Sequence, residues 1–339
     1  MTGTETTTGL RPRIAAPYRT FMSRRSSLMP TFAALAILLL LLAGAQLYFG
    51  NFVTPSNLSA LLLDNAYLLI LAVGMTLVIL TGGIDLSVGS VMAFTGILCA
   101  KLLSDGVPAA IVIPVMIAGG ALIGLLLGVL VQYFDVQPFI ATLAGLFLAR
   151  GLAFVVSLSS IRVEDRAVLW LQSARFRLGD WYITPTGVMA LLVVAIGVFA
   201  TQWTRFGRTI YAIGGSAQSA RLMGLNVART KVLVYLISGV CGGLAGLALT
   251  AYSGAGYPLN GVGTELDTIA AVVIGGTLLT GGSGYVMGSM VGVLVYGTIK
   301  SVISFMGAEQ SWTRIIIGAL LLLFIVVQRF IVARSERGH

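Results

Sequence analysis

Charge is scarce in this 339-residue chain: 10% of its residues are Asp, Glu, Lys or Arg, against 57% hydrophobic residues, and the mean hydropathy is +0.97. An ordinary soluble domain carries roughly a quarter charged residues to cover its surface, so that class is excluded. Histidine is nearly missing. The single copy is the last residue, His339, which excludes a histidine-built metal centre or proton relay. Cysteine is limited to Cys99 and Cys241, both inside apolar runs, where packing as small hydrophobes is expected in place of a disulfide. The lysines are Lys101, Lys231 and Lys300, preceded by "LCA", "ART" and "GTI". None ends a Walker A loop, so the chain cannot hydrolyse ATP by that chemistry. Period-2 alternation is also absent, which argues against a membrane β-barrel.

What is abundant is long apolar sequence. "TFAALAILLLLLAGAQLYF", "AAIVIPVMIAGGALIGLLLGVLV", "GVMALLVVAIGVFAT" and "RIIIGALLLLFIVVQ" each approach the roughly 20 residues that cross a bilayer as a helix. The expected class is an all-α, polytopic transmembrane bundle. About ten spans are expected, over 31–49, 59–79, 85–104, 109–131, 138–158, 183–202, 232–252, 266–280, 284–306 and 312–332, with broken or short helices at glycine-rich segments. Ala43-Gly44-Ala45 resembles a signal-peptide cleavage site. The run is long and more membrane follows, so a retained first span is expected.

The formal net charge of +9 does not point to nucleic acid. The basic residues gather in Arg11 to Arg25, Arg205 to Lys231 and Arg329 to Arg337, as the positive-inside rule distributes them. An even span count places all three segments, and both termini, in the cytoplasm. The chain then divides into a disordered cytoplasmic tail (1–30), a transmembrane domain (31–332) containing a cytoplasmic loop (203–231), and a short C-terminal tail (333–339). The loop 159–182 falls outside. Its Arg162, Glu164, Asp165, Arg175 and Arg177 carry both signs of charge and are candidates for docking a soluble partner.

Two features interrupt the apolar pattern. "LTGGIDLSVGSVM", from Leu80 to Met92, places Gly82, Gly83, Asp85, Ser87 and Gly89 between two apolar runs. A carboxylate at a span centre costs about 2.5–3.5 kcal/mol on insertion scales and normally faces protein or water. Glycine permits irregular backbone, which inside a bilayer must line a cavity or be buried in protein. The residues alone leave two readings open. One is a broken helix beside a translocation pathway; the other is a plain turn with Asp85 or Ser87 capping the next helix. Leu80-Thr81-Gly82-Gly83 and Gly89-Ser90 are echoed at the same spacing by Leu279-Thr280-Gly281-Gly282 and Gly288-Ser289. Thr280, Gly281 and Gly282 are therefore grouped with the first set as pathway candidates. Gly120, Gly124 and Gly128, and Gly284, Gly288 and Gly292, recur every four residues, which allows close helix approach. Arg150, in "LFLARGLAFVV", must find a carboxylate, a carbonyl or water, or extend outward.

The second feature is the basic loop. Ser216 is placed to cap a short helix in which Ala217, Ala220, Leu222 and Met223 form a largely apolar side, with Arg221 at its rim. Gly224 suits its stop, and Asn226 can cap the next span. A helix of about two turns is not stable alone in water and needs a surface to lie on. An intramembrane enzyme is disfavoured, because no internal histidine exists and Glu265 and Asp267 sit near a span end.

Several segments resemble the permease subunits of bacterial monosaccharide ABC importers, the ribose, xylose and galactofuranose class. "ILTGGIDLSVGSVMAFTG" is similar to their signature and "TLAGLFLARGLA" to a second segment. "GRTIYAIGGSAQSARLMGLNVARTKVLVYLISG" resembles their cytoplasmic coupling loop, and "AAVVIGGTLLTGGSGYVMGSMVGVLVYGTI" their late glycine-rich segment. The resemblance runs from about residue 31 to 332, and the ending "SWTRIIIGALLLLFIVVQR" looks most like the galactofuranose type. It implies a ten-helix permease half in the inner membrane, paired with a second copy or a paralogous permease. It also implies a separate ATPase subunit that holds ATP and Mg2+, a soluble sugar-binding protein outside, and no cofactor on this chain. Under it, Ser216 to Gly224 form the coupling helix. One departure stands out: family coupling loops often carry Glu-Ala-Ala, where this chain has Gln218-Ser219-Ala220. A secondary transporter or channel without an ATPase is the alternative; it leaves the basic loop with its short helix less well explained.

Overall fold

The computed structural model describes the backbone of residues 16–309 and 311–337, and side chains of 30–309 and 311–326. Fourteen helices are present among them, with four very short strands. Helix α1 (Ala16–Phe49) begins within the stretch expected to be a polar tail, and its apolar portion runs from Pro30. Residues 1–15 of that tail, and His339, lie outside the described residues.

Helices α2 (Pro55–Asp64) and α3 (Ala66–Leu80) are together long and apolar enough for one span and are bent by 53° at Asn65. No proline or glycine marks the break. Buried Asn65 donates its side-chain amide to the Leu61 carbonyl at 2.8 Å, and Gly297 on a later helix leaves no room for a Cβ beside it. Helix α4 (Val88–Ser104) follows the Asp85 stretch; α5 (Ala109–Tyr133) and α6 (Pro138–Val156) are full-length apolar helices.

The loop 157–184 is ordered by its own local chemistry. Strand β1 (Ile161–Arg162) pairs with β4 (Ala255–Gly256). Helix α7 (Arg166–Ser173) is capped by the Asp165 carboxylate, which accepts the N–H of Ala167 at 2.8 Å. Strands β2 (Phe176–Leu178) and β3 (Trp181–Ile183) form a hairpin, with Gly179 supplying the positive φ its first turn position needs.

Next come α8 (Pro185–Trp203), α9 (Arg205–Gly215), α10 (Ala217–Leu222), α11 (Val227–Ser253), α12 (Thr264–Ile274), α13 (Val286–Phe305) and α14 (Ser311–Arg337). Among the described residues six helices are individually long and apolar enough to cross a membrane, or seven where the bent pair is counted as one span. The expected span 266–280 is not one helix. α12 has 11 residues, about 16 Å at 1.5 Å per residue, against a hydrocarbon thickness of about 30 Å. Irregular backbone occupies 275–285.

The centre of the bundle is α11, packed on α3, α4 and α5. Glycine makes this possible. A Cβ on Gly120 or Gly124 of α5 would meet the backbone of Gly239 or Tyr235, and a Cβ on Gly128 would meet Val232 at 3.0 Å. The second glycine series seats α13 on α12: Gly288 faces the Gly275 carbonyl and Gly292 that of Ala271. Both cysteines are free and buried.

Candidate functional site

The two glycine-rich turns, far apart in sequence, touch. Gly282 donates its N–H to the Leu80 carbonyl at 3.0 Å. Gly281 lies against Gly82, and Gly214 of α9 is pressed between Leu80 and Gly282 with no space for a side chain. Gly82, Gly281 and Gly282 all have positive φ, at 81°, 86° and 72°, a region L side chains enter at a cost. The third member of this junction, α9, has no counterpart in the sequence expectations. Its Phe206, Ile210 and Ile213 recur at helical spacing after the Thr204 cap, a signal diluted by Gly207, Gly214 and Gly215. Tyr211 of α9 donates its hydroxyl to the Gly284 carbonyl at 2.8 Å. Burial, and then nearby Tyr285, push this phenol up to about 12, so it stays a donor throughout the physiological range.

From this junction the chain climbs without helical structure to Asp85. That carboxylate is 1% exposed and fully engaged. Oδ1 accepts the Ser87 N–H at 2.9 Å and its hydroxyl at 2.6 Å; Oδ2 accepts the Ser238 hydroxyl of α11 at 2.7 Å. Ser238 faces Gly74, about 9 Å up α3 from Leu80. Asp85 therefore ties the start of α4 to α11 from inside the bundle. Gly83, Ser87 and Gly89 are buried with it, while Gly82 and Thr280 are exposed.

A second segment enters from the opposite end. Gly256 lies on Ala100, Gly96 and Ile97 of α4, and Gly261 on Met92 and Gly89. Residues 256–261 thus run down α4 by about two turns, ~11 Å, before α12 starts. Gly89, at the start of α4, has no room for a Cβ because Glu265, at the start of α12, fills the space. The shortened helix α4, of 17 residues, and the half-length helix α12, of 11, therefore begin side by side within the bundle. Irregular backbone at such depth persists only where protein or a water-lined cavity satisfies it. Arg150 of α6 supplies part of that, donating to the carbonyls of Pro258 and Asn260 at 2.5 and 2.9 Å. Of the options open to Arg150 in sequence, the carbonyl is the one realised.

At the basic end, the short helix is present as α10. Ser216 caps it through the Ser219 N–H at 3.2 Å, Gly224 follows with φ 75°, and Asn226 caps α11 through the Arg229 N–H at 3.1 Å. The expected single apolar side is corrected. Ala220 is fully buried with Ile213 and Val227, and Ala217 packs beside them. Leu222 and Met223 point away and are 84% and 66% exposed, because residues 220 and 222 lie about 200° apart around a helix of 3.6 residues per turn. Arg221 is exposed beside them. In the loop at the opposite end, Arg162, Glu164, Arg175 and Arg177 are exposed. Asp165 is committed to its cap, and Arg175 lies 5.2 Å over the Tyr182 ring.

Apolar spans around two interrupted helices, with a capped helix displayed at the basic end, define a multi-pass helical membrane transport protein. Residues 57–325 match the family described as "Branched-chain amino acid transport system / permease component", and the chain belongs to this family of ABC-importer permease components. It is 44% identical to the fructose import permease protein FruG of Bifidobacterium longum over 334 residues, covering 96% of this chain and 98% of that one. It is 45% identical to the inner membrane ABC transporter permease protein YjfF of Escherichia coli over 284 residues (83% and 86% covered). Identity to the ribose import permease protein RbsC of Escherichia coli is 38% over 298 residues (87% and 92% covered).

Proposed function

We propose that this chain is the inner-membrane permease subunit of an ATP-binding-cassette importer for a monosaccharide, with a galactofuranose-type sugar as the first candidate. Similarity over nearly its whole length to permeases named for fructose and ribose import supports a sugar over the amino acids in the family's description. The observation that carries the coupling half of the reading is α10, a six-residue helix held on the permease by Ala220 while it presents Leu222 and Met223 outward. Two exposed apolar side chains on a short polar segment fit a groove on an ATPase. α10 is continuous through Gly214 and Gly215 with the junction of the two glycine-rich turns, so motion of the ATPase would reach Gly82 and Thr280 directly.

In this reading the basic end and both termini are cytoplasmic, and 157–184 faces the soluble sugar-binding protein through Arg162, Glu164, Arg175 and Arg177. Gly82, Thr280, Gly281 and Gly282 form the moving lining of the pathway, with Gly83 and Gly89 buried behind it. Asp85 and Ser87 hold that lining to α11 from behind. A second copy or a paralogous permease completes the pathway, ATP and Mg2+ act on the ATPase, and this chain holds no cofactor. The test is uptake of labelled sugars into proteoliposomes that contain the permease, its ATPase and its binding protein. ATP-dependent accumulation of a monosaccharide supports the reading. Uptake driven by an ion gradient without the ATPase contradicts it.

A further inference from the structure

The half-helix α12 and the last helix, α14, are separated by a cavity of about 360 Å³ lined by Val262, Leu266, Asp267, Arg314, Ile317 and Gly318, among others. That volume falls at the small end of the roughly 300–1,000 Å³ typical of small-ligand pockets. Its chemistry is unusual for a surface between apolar helices. Asp267 is hydrogen-bonded to the Tyr296 hydroxyl and lies in the field of both Arg314 and Lys300. Yet among the described residues the one ion pair is Lys101–Asp105: Asp267 and Arg314 share a cavity without closing on each other.

Beside it, Lys300 and Thr313 line a second space of about 250 Å³. Thr313 is 4% exposed, and its hydroxyl has no hydrogen-bond partner among the described residues. A buried hydroxyl without a partner costs about 1–3 kcal/mol, which a ligand able to donate or accept would relieve. A carboxylate and a guanidinium in the first space, with Leu266 and Ile317 as apolar walls, suit a small neutral molecule that carries several hydroxyls on a carbon face; the Thr313 hydroxyl belongs to the second space. The exposed Val262 and Leu266 open the first space to the surface between α12 and α14.

We propose that this cavity is a transient binding site for a monosaccharide in transit, with Asp267 accepting and Arg314 donating hydrogen bonds to sugar hydroxyls. The inference rests on the sugar reading given above. Gly318 borders the cavity and has open space where a Cβ would sit, so Gly318→Cys reports on it without crowding, and the two native cysteines are buried. In the assembled importer, the rate at which a thiol reagent labels Gly318→Cys is measured with and without excess D-galactose (the source of the galactofuranose form), D-fructose or D-ribose, alongside ATP-driven uptake of each. Slower labelling by the transported sugar alone is expected. Asp267→Asn and Arg314→Gln should each reduce that protection about tenfold in sugar affinity, the equivalent of one charge-assisted hydrogen bond, while the complex stays assembled. Uptake with no protection by the transported sugar, or protection unchanged in both variants, overturns the site and leaves the importer reading intact. Failure of the unsubstituted importer to take up any monosaccharide overturns the sugar reading, and this site with it.

Discussion

The Ser238 hydroxyl donates to Asp85 Oδ2 at 2.7 Å, joining the non-helical approach to α4 to the central helix α11. Hydrogen bonds to a charged group are worth about 1.5–3 kcal/mol each, and Asp85 gathers three of them in the bundle interior. Asp85→Ala should therefore leave the permease inserted and assembled but lower its stability by about 2–3 kcal/mol, with a large loss of uptake. Ser238→Ala should cost about half as much. Thermal unfolding in detergent, read beside uptake, checks both; an Asp85→Ala protein with unchanged midpoint and uptake would contradict the anchoring role.

Arg150 fixes the segment that descends along α4. Arg150→Leu removes donors from the Pro258 and Asn260 carbonyls and should destabilise by about 2–3 kcal/mol. Arg150→Lys can reach one carbonyl at a time and should recover part of the loss. Proteolysis at 254–263 in the folded protein offers a local readout: faster cleavage in Arg150→Leu is expected, and equal rates would count against the anchor.

Two glycines should behave oppositely. Gly124→Ala forces a methyl into the α11 backbone at Tyr235 and Gly239, where nothing flexible can give way; overpacking of this kind costs about 1–3 kcal/mol or more. Gly151→Ala, in α6 with open space around it, should stabilise by about 0.5–1 kcal/mol by lowering the freedom of the unfolded chain. Paired melting curves decide it, and equal effects of the two substitutions would refute the packing account.

Much of this was legible in sequence because it is local. The caps at Ser216 and Asn226 and the stop at Gly224 are side-chain-to-backbone chemistry within a few residues, and they are found where the sequence placed them. Each apolar run expected to span also contains a helix, since hydropathy is local too. The rest depends on partners distant in the chain. Nothing in "LLLDNAYLLI" announces a 53° bend except Asn65, whose effect depends on packing against Gly297. Hydropathy alone did not end α12 at Ile274; Gly275-Gly276 marks the place, in line with the short helices expected at glycine-rich segments. The apolar letters of α10 gave its existence, but their division between an inward and an outward face needed Ile213 and Val227 as neighbours. The meeting of Leu80 with Gly282 was present only as a repeated tetrapeptide, which shows likeness and not contact.

The central claim, that this permease is driven by a separate ATPase through α10, is tested most directly by co-purification of the ATPase with the double variant Leu222→Asp, Met223→Asp. Both side chains are exposed on the free permease, so the substitutions should leave its insertion and thermal midpoint unchanged. The account predicts that the permease purifies without the ATPase and that ATP-driven uptake is lost. An ATPase retained at the unsubstituted stoichiometry, with coupled uptake intact, would contradict it.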